Sequence, residues 1–111
     1  MNYAHKFELV EAERCRVMGL SYEAIEKYDR AIAGAQTHGY HQEVALANEL
    51  FAKFYLQWGK TKVAVVYMQE AYYGYIRWGA YAKARQLESA YPQLLSDALS
   101  QSHSADISDN A

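Results

Sequence analysis

Two histidines and one cysteine are the side chains of this sequence that come nearest to a reactive centre. His38 and His41 flank a glycine, and no Cys or carboxylate stands beside them at a recognisable metal-ligand spacing. Cys15 lies between two arginines, where the helical pattern is more typical of a packing position than of an activated nucleophile. We therefore expect no metal site and no catalytic residue, and interpret His38 and His41 as exposed loop residues.

Phosphoryl chemistry finds no support in the sequence either. A phosphoaccepting histidine at the start of a dimerising helix would be followed at once by an acidic residue, whereas His5 is followed by Lys6 and Phe7. The glycines are isolated and form no phosphate-binding loop. We expect no nucleotide, no other cofactor and no enzymatic activity.

Charge and hydropathy limit the classes of partner. The net charge is −2 and no run of Lys or Arg forms the basic stripe that nucleic acid requires. The longest strongly apolar stretch, residues 63–68, is far shorter than the ~20 residues that cross a bilayer. The N-terminus has no basic segment followed by an apolar run, and a single cysteine makes no internal disulfide. We predict a cytoplasmic protein with no nucleic-acid partner and no membrane span.

The chain repeats itself at an offset of 40 residues. Small residues recur in step, the pairs being Ala12 with Ala52, Gly19 with Gly59, Ala24 with Ala64, Ala31 with Ala71, Gly34 with Gly74 and Gly39 with Gly79. Small side chains allow two helices to approach closely, so helix packing explains this pattern without any chemistry. The apolar spacing between these positions is helical nearly throughout, and the sequence predicts an all-α fold.

Glycines and capping residues divide the chain into five predicted helices. Ser21 and Thr61 are predicted to act as N-caps, and the helices end at glycines or before Pro92. The predicted segments end at Gly19, run from Ser21 to about His38, from about Gln42 to Trp58, from Thr61 to about Trp78, and from about Tyr81 to Ala90.

These helices are predicted to form one domain over residues 1–95. Half of the residues are apolar and 22% are charged, which is typical of a globular chain. Residues 96–111 are rich in Ser and Asp and have little to bury, so we predict a disordered tail there.

The repeated residues resemble a known helical repeat. Gly19, Tyr22, Ala24, Tyr28 and Ala31 look like the second half of a tetratricopeptide repeat, with Ala12 at the small position of its first helix. The second copy matches at the corresponding small residues, with a spacing several residues longer than the usual 34. The resemblance implies a tetratricopeptide-like stack of two antiparallel helix pairs closed by a C-terminal capping helix.

Longer strings of the sequence resemble a segment of large signalling proteins. The strings are AERCRVMG, EAIEKYDRAIAGA, EVALANELFAKFYLQWGK and YIRWGAYAKARQLESAYPQLL. They are similar to the helical segment of cyanobacterial-type proteins that carry a serine/threonine kinase, an ATPase module, a GAF sensor and a histidine kinase. In such proteins the segment lies between the ATPase and sensor parts and carries no catalytic residue. The resemblance implies a protein-interaction (adaptor or scaffold) module in signalling or, as the alternative, an in-cis linker or dimerisation segment of a sensor kinase.

The repeat resemblance also implies a binding groove, because the first helix of each pair lines the concave side of such stacks. The predicted groove residues are Glu13, Arg16, Val17, Glu49, Lys53, Leu56 and Gln57. The charges are mixed, and Glu13 and Glu49 argue against a ligand that presents a terminal carboxylate.

The fourth predicted helix offers a second candidate surface, since it is apolar around nearly its whole circumference. Either a strip of Tyr and Trp side chains stays exposed and binds another protein or a second copy of the chain, or the closing helix covers it completely. The possible interface residues are Tyr72, Tyr75, Ile76, Trp78 and Tyr81.

Overall fold

A computed structural model describes residues 4–96 of the chain. Over that range the chain forms five α-helices and no β-strand, which confirms the predicted all-helical class. The helices are α1 (Ala4–Val17), α2 (Ser21–Thr37), α3 (His41–Gln57), α4 (Thr61–Arg77) and α5 (Tyr81–Ala90). The helix ends predicted from the sequence agree with these bounds within one or two residues. The predicted tail covers residues 96–111, and its residues 97–111 lie outside the described part of the chain.

The same three-residue connector joins each helix to the next. Its central residue is a glycine with φ between 72° and 81°, at Gly19, Gly39, Gly59 and Gly79. In the first connector the Leu20 N–H donates to the Cys15 carbonyl (2.9 Å) and the Gly19 N–H to the Arg16 carbonyl (3.2 Å), which is a Schellman motif. The other three connectors repeat both bonds. The structural unit is therefore 20 residues long, half of the offset seen in the sequence.

The prediction that Ser21 and Thr61 act as N-caps is wrong. Leu20 and Lys60 occupy the N-cap positions, and neither helix start has a side-chain capping hydrogen bond. The reason is that Leu20 serves two helices: its N–H closes the Schellman motif of α1, and its carbonyl accepts the first bond of α2, from Ala24. The shared residue moves the helix start one position earlier, so Ser21 is already helical.

We expect Gly59→Ala to lower the free energy of unfolding by about 1–2 kcal/mol, the ordinary cost of a left-handed conformation for a residue with a Cβ. An added Cβ would meet no atom within 4 Å, so no steric clash contributes. Urea denaturation measures the change. Thr61→Ala, two residues along, is the control and should change stability by less than about 0.5 kcal/mol, because Thr61 makes no cap bond. A larger effect of Thr61→Ala would contradict this assignment of the caps.

The helices pack in chain order, each against the next. Residues of α1, α2 and α3 form one buried cluster, and residues of α3, α4 and α5 form another, so α3 belongs to both. The repeated alanines are buried at the contacts, and a Cβ added to Gly74 would lie 3.1 Å from the Cβ of Ala45. Cys15 is buried in the first cluster, which confirms its interpretation as a packing residue. None of the described helices is both long and apolar enough to cross a bilayer.

Candidate protein-interaction groove

Predicted groove residues of α1 and α3 are joined by hydrogen bonds. The Arg16 guanidinium donates from Nε to Glu13 Oε2 (2.7 Å) and from Nη1 to Gln57 Oε1 (3.1 Å). The Tyr28 hydroxyl of α2 donates to the same Glu13 oxygen at 2.5 Å. Burial is the main cause that raises the pKa of Tyr28, and the Glu13 carboxylate raises it further. The hydroxyl therefore keeps its proton and donates a hydrogen bond to Glu13. Glu13 is thus held by two partners of its own chain.

Glu49 is the second acidic residue of the predicted groove, and it is only 3% exposed. Its Oε1 accepts a hydrogen bond from the Tyr75 hydroxyl (2.7 Å) and lies 3.2 Å from Lys83 Nζ. Its Oε2 lies 2.8 Å from Lys53 Nζ. The carboxylate therefore connects α3 to α4 and α5.

The pKa values of this cluster follow from its contacts. Burial alone would raise the pKa of Glu49, but hydrogen bonds from Lys53 and Tyr75 and the positive charges of Lys53 and Lys83 outweigh it and lower the pKa. The hydrogen bond with Glu49 raises the pKa of Lys53 despite partial burial. Glu49 and Lys53 are therefore both charged at neutral pH. With Lys83, the cluster contains two basic side chains and one acidic side chain. The two basic side chains weaken the prediction, made from Glu13 and Glu49, that the groove does not bind a ligand with a terminal carboxylate.

Two adjoining pockets lie between α3 and the end of α5. The first, of about 310 Å³, is lined by Lys53, Leu56, Gln57 and Tyr91. The second, of about 420 Å³, shares Leu56 and Tyr91 and extends along residues 90–94 and Thr61. Three of the predicted groove residues thus meet in one concavity. We call this concavity the α3–α5 groove.

The predicted aromatic surface of α4 divides into two parts. Tyr72 and Tyr75 are buried, with their hydroxyls donating to Glu88 (2.5 Å) and Glu49 respectively. Burial, then the Glu88 carboxylate, raises the pKa of Tyr72 to about 12. Ile76, Trp78 and Tyr81 are exposed, so only these three remain as surface candidates.

The two histidines of the interhelix region are exposed, as predicted. His38 is the C-cap of α2, where its ring Nδ1 lies 2.8 Å from the Gly34 carbonyl oxygen. His41 is the first residue of α3 rather than a loop residue, and its ring stacks on Trp78 with centroids 3.8 Å apart. Over residues 4–96 no three His, Cys, Asp or Glu side chains converge as metal ligands would.

Two residues were missed in the sequence: Tyr91, which lines the α3–α5 groove, and Lys83, which pairs with Glu49. The contact between Lys83 and Glu49 spans 34 residues, and no local pattern indicates it. Tyr91 follows the last residue of α5 and precedes Pro92, where the helical register has ended. The proline marks the turn but does not show which side of α3 the turn contacts.

Comparison with known proteins finds a similarity that covers part of the chain. Hybrid signal transduction histidine kinase G of Dictyostelium discoideum is 48% identical over 61 residues, which is 55% of this chain and 2% of that protein. The chain is therefore similar to a short segment of a histidine kinase, in agreement with the predicted likeness to a signalling-kinase segment. No family model and no solved structure matches the chain.

Proposed function

We propose that this chain is a non-catalytic protein-interaction module of a signalling system, and that the α3–α5 groove binds a segment of a partner protein. The observation that carries the proposal is the concavity in which Lys53, Leu56, Gln57 and Tyr91 meet. The apolar, aromatic and cationic side chains there lie close enough together for one bound peptide segment to contact all of them. The similarity to a histidine kinase segment supports the signalling context.

The groove favours an extended segment with an acidic side chain beside an apolar one. Glu13 and Glu49 already accept hydrogen bonds from their own chain, so the groups left for a ligand are chiefly donors. The side chains of Lys53 and Lys83 are about 40% exposed, so their ammonium groups can turn towards a carboxylate of a ligand. Leu56 and Tyr91 then cover an apolar neighbour of that carboxylate.

The finer class we propose is a tetratricopeptide-like stack of the kind found in cyanobacterial-type signalling kinases, located in the cytoplasm. The five helices pack in chain order and are joined by connectors of the same geometry, which supports the proposed stack. In this arrangement α1, α3 and α5 are the first helices of their pairs. First helices line the concave side of such stacks, and ligands bind on that side.

Lys53→Gln should weaken binding of an acidic peptide about fivefold to tenfold, because it removes one exposed cation from the groove. The probe is a library of fluorescent ten-residue peptides that pair one Asp or Glu with one Leu or Phe, titrated by anisotropy. Amide shifts of the labelled protein should map to Lys53, Leu56, Gln57 and Tyr91. Lys62→Gln, an exposed lysine of α4, is the matched control and should bind as the parent does. Shifts confined to other surfaces, or equal loss in both variants, would refute the groove.

The 48% identity within a hybrid histidine kinase favours a second candidate, an in-cis linker. In that role the stack transmits a signal through its stiffness and needs no ligand in the groove. Replacing the similar segment of that kinase by this chain should preserve the regulation of autophosphorylation. A Gly/Ser linker of equal length should abolish that regulation. Loss of regulation in both chimeras would exclude the linker role.

A further inference from the structure

The outer face of α1 carries an apolar stripe that nothing in the described chain covers. Phe7, Val10 and Val17 are 60%, 66% and 74% exposed, and Met18 beside them is also exposed. These residues recur at spacings of three, seven and eight along one side of the helix. The stripe is separate from the α3–α5 groove, and the inference below does not depend on the proposed function.

One position of the stripe is buried in the second copy of the repeat. At the 40-residue offset Phe7 corresponds to Ala47 of α3, which is buried, and Val10 to Leu50, which is partly buried, whereas Val17 and Met18 correspond to the exposed Gln57 and Trp58. The α3 helix packs with α2 on its N-terminal side, whereas α1 has no described helix before it. The stripe is therefore an apolar helix face that no described residue covers.

The two ends of the stack differ in this respect. The solvent-exposed positions of α5 include Arg85, Gln86 and Ser89, which suit a helix that closes a stack against water. The exposed positions of α1 include Phe7, Val10 and Val17 instead, and an apolar patch of this kind is typical of an interaction surface.

The charges of the stripe are arranged symmetrically. Glu11 and Arg14 lie at equal distances from a point between residues 12 and 13, and Phe7 and Met18 are centred on the same point. An antiparallel pair of α1 helices about that point would set Phe7 against Met18 and Glu11 against Arg14 of the other copy. Glu11 and Arg14 already form a 2.9 Å ion pair within one copy, and the guanidinium has further N–H groups to donate.

We propose that α1 packs against α1 of a second copy of this chain, as an antiparallel pair centred between Ala12 and Glu13. The order of apolar and charged residues along the stripe is self-complementary, which that of an arbitrary apolar face would not be. One helix face offers less than the ~800 Å² per partner of a standard interface, so the dimer is reversible and depends on concentration.

Light scattering on a sizing column tests the proposal, with the full chain at concentrations up to about 1 mM, where even weak specific contacts are populated. The mass should rise from one chain to two. Val10→Lys should weaken dimerisation at least about tenfold, because it sets a lysine near Arg14 of the other copy. Val66→Lys alters an exposed valine of α4 and is the matched control, with no change expected.

Charge exchange between copies distinguishes this pairing from any other dimer. Glu11→Arg and Arg14→Glu should each weaken self-association, because each creates like charges across the pair. An equimolar mixture of the two variants should associate again, since the heterodimer restores both opposite-charge pairs. Circular dichroism checks that each variant stays helical. A monomer at every concentration, a dimer unaffected by Val10→Lys, or a mixture that fails to associate would overturn the proposal.

Discussion

Replacing Phe51 by alanine is expected to lower the free energy of unfolding by about 3–5 kcal/mol, the usual cost of truncating a buried phenylalanine. Phe51 is fully buried, and its ring lies 4.9 Å from that of Tyr28 and 4.4 Å from that of Tyr67. These partners belong to α2 and α4, so the Phe51 side chain holds three helices together. Its loss leaves a cavity at the point where the two core clusters approach each other.

Urea denaturation at low protein concentration measures this effect. Phe7→Ala makes the same substitution at an exposed position of α1 and should change stability by less than about 0.5 kcal/mol. If Phe51→Ala is too unstable to study, Phe51→Leu, which retains most of the volume, should cost about 1–2 kcal/mol. Equal effects at positions 51 and 7 would mean that Phe51 does not lie in the core.

The helices were predictable because their signals are local. A glycine at each connector fixes where one helix ends, since only glycine adopts the left-handed conformation there at little cost. The caps were mispredicted because Ser21 and Thr61 have the residue types of N-caps, whereas the Schellman motif assigns that position to the residue before each of them. The backbone geometry of the connector therefore determines where each helix starts, and the capping preference of Ser and Thr side chains does not.

The surfaces were less predictable because they depend on contacts between helices. Lys53, Leu56 and Gln57 were predicted from the resemblance to a helical repeat, and they do line one pocket. Tyr72 and Tyr75 are of the residue type that anchors interfaces, yet they lie in the core, where their hydroxyls donate to the carboxylates of Glu88 and Glu49. The sequence shows that α4 is apolar around nearly its whole circumference, but it does not show which side a neighbouring helix covers.

Glu49→Ala is expected to destabilise the fold by about 2–3 kcal/mol, because a buried carboxylate with charged partners is removed. The Tyr75 hydroxyl is left buried without its acceptor, whereas Lys53 and Lys83 are partly exposed and regain water. Glu26→Ala is the matched control: Glu26 is also paired, with Arg30, but it is exposed and should contribute less than about 0.5 kcal/mol. In a double-mutant cycle with Tyr75→Phe the two losses should be less than additive, since they remove one interaction.

The pH dependence of stability tests the same carboxylate through its charge. The pKa of Glu49 is lower in the folded chain than its ordinary value of 4.5, so the charged form stabilises the fold. This contribution is complete above the unfolded-state pKa and is lost as the pH falls through the folded-state pKa. Glu49→Gln keeps an acceptor for Tyr75 but cannot titrate, so its stability deficit should be largest near neutral pH and shrink below pH 4.5. A deficit that stays constant between pH 7 and pH 3 would show that Glu49 acts through packing and not through its ion pairs.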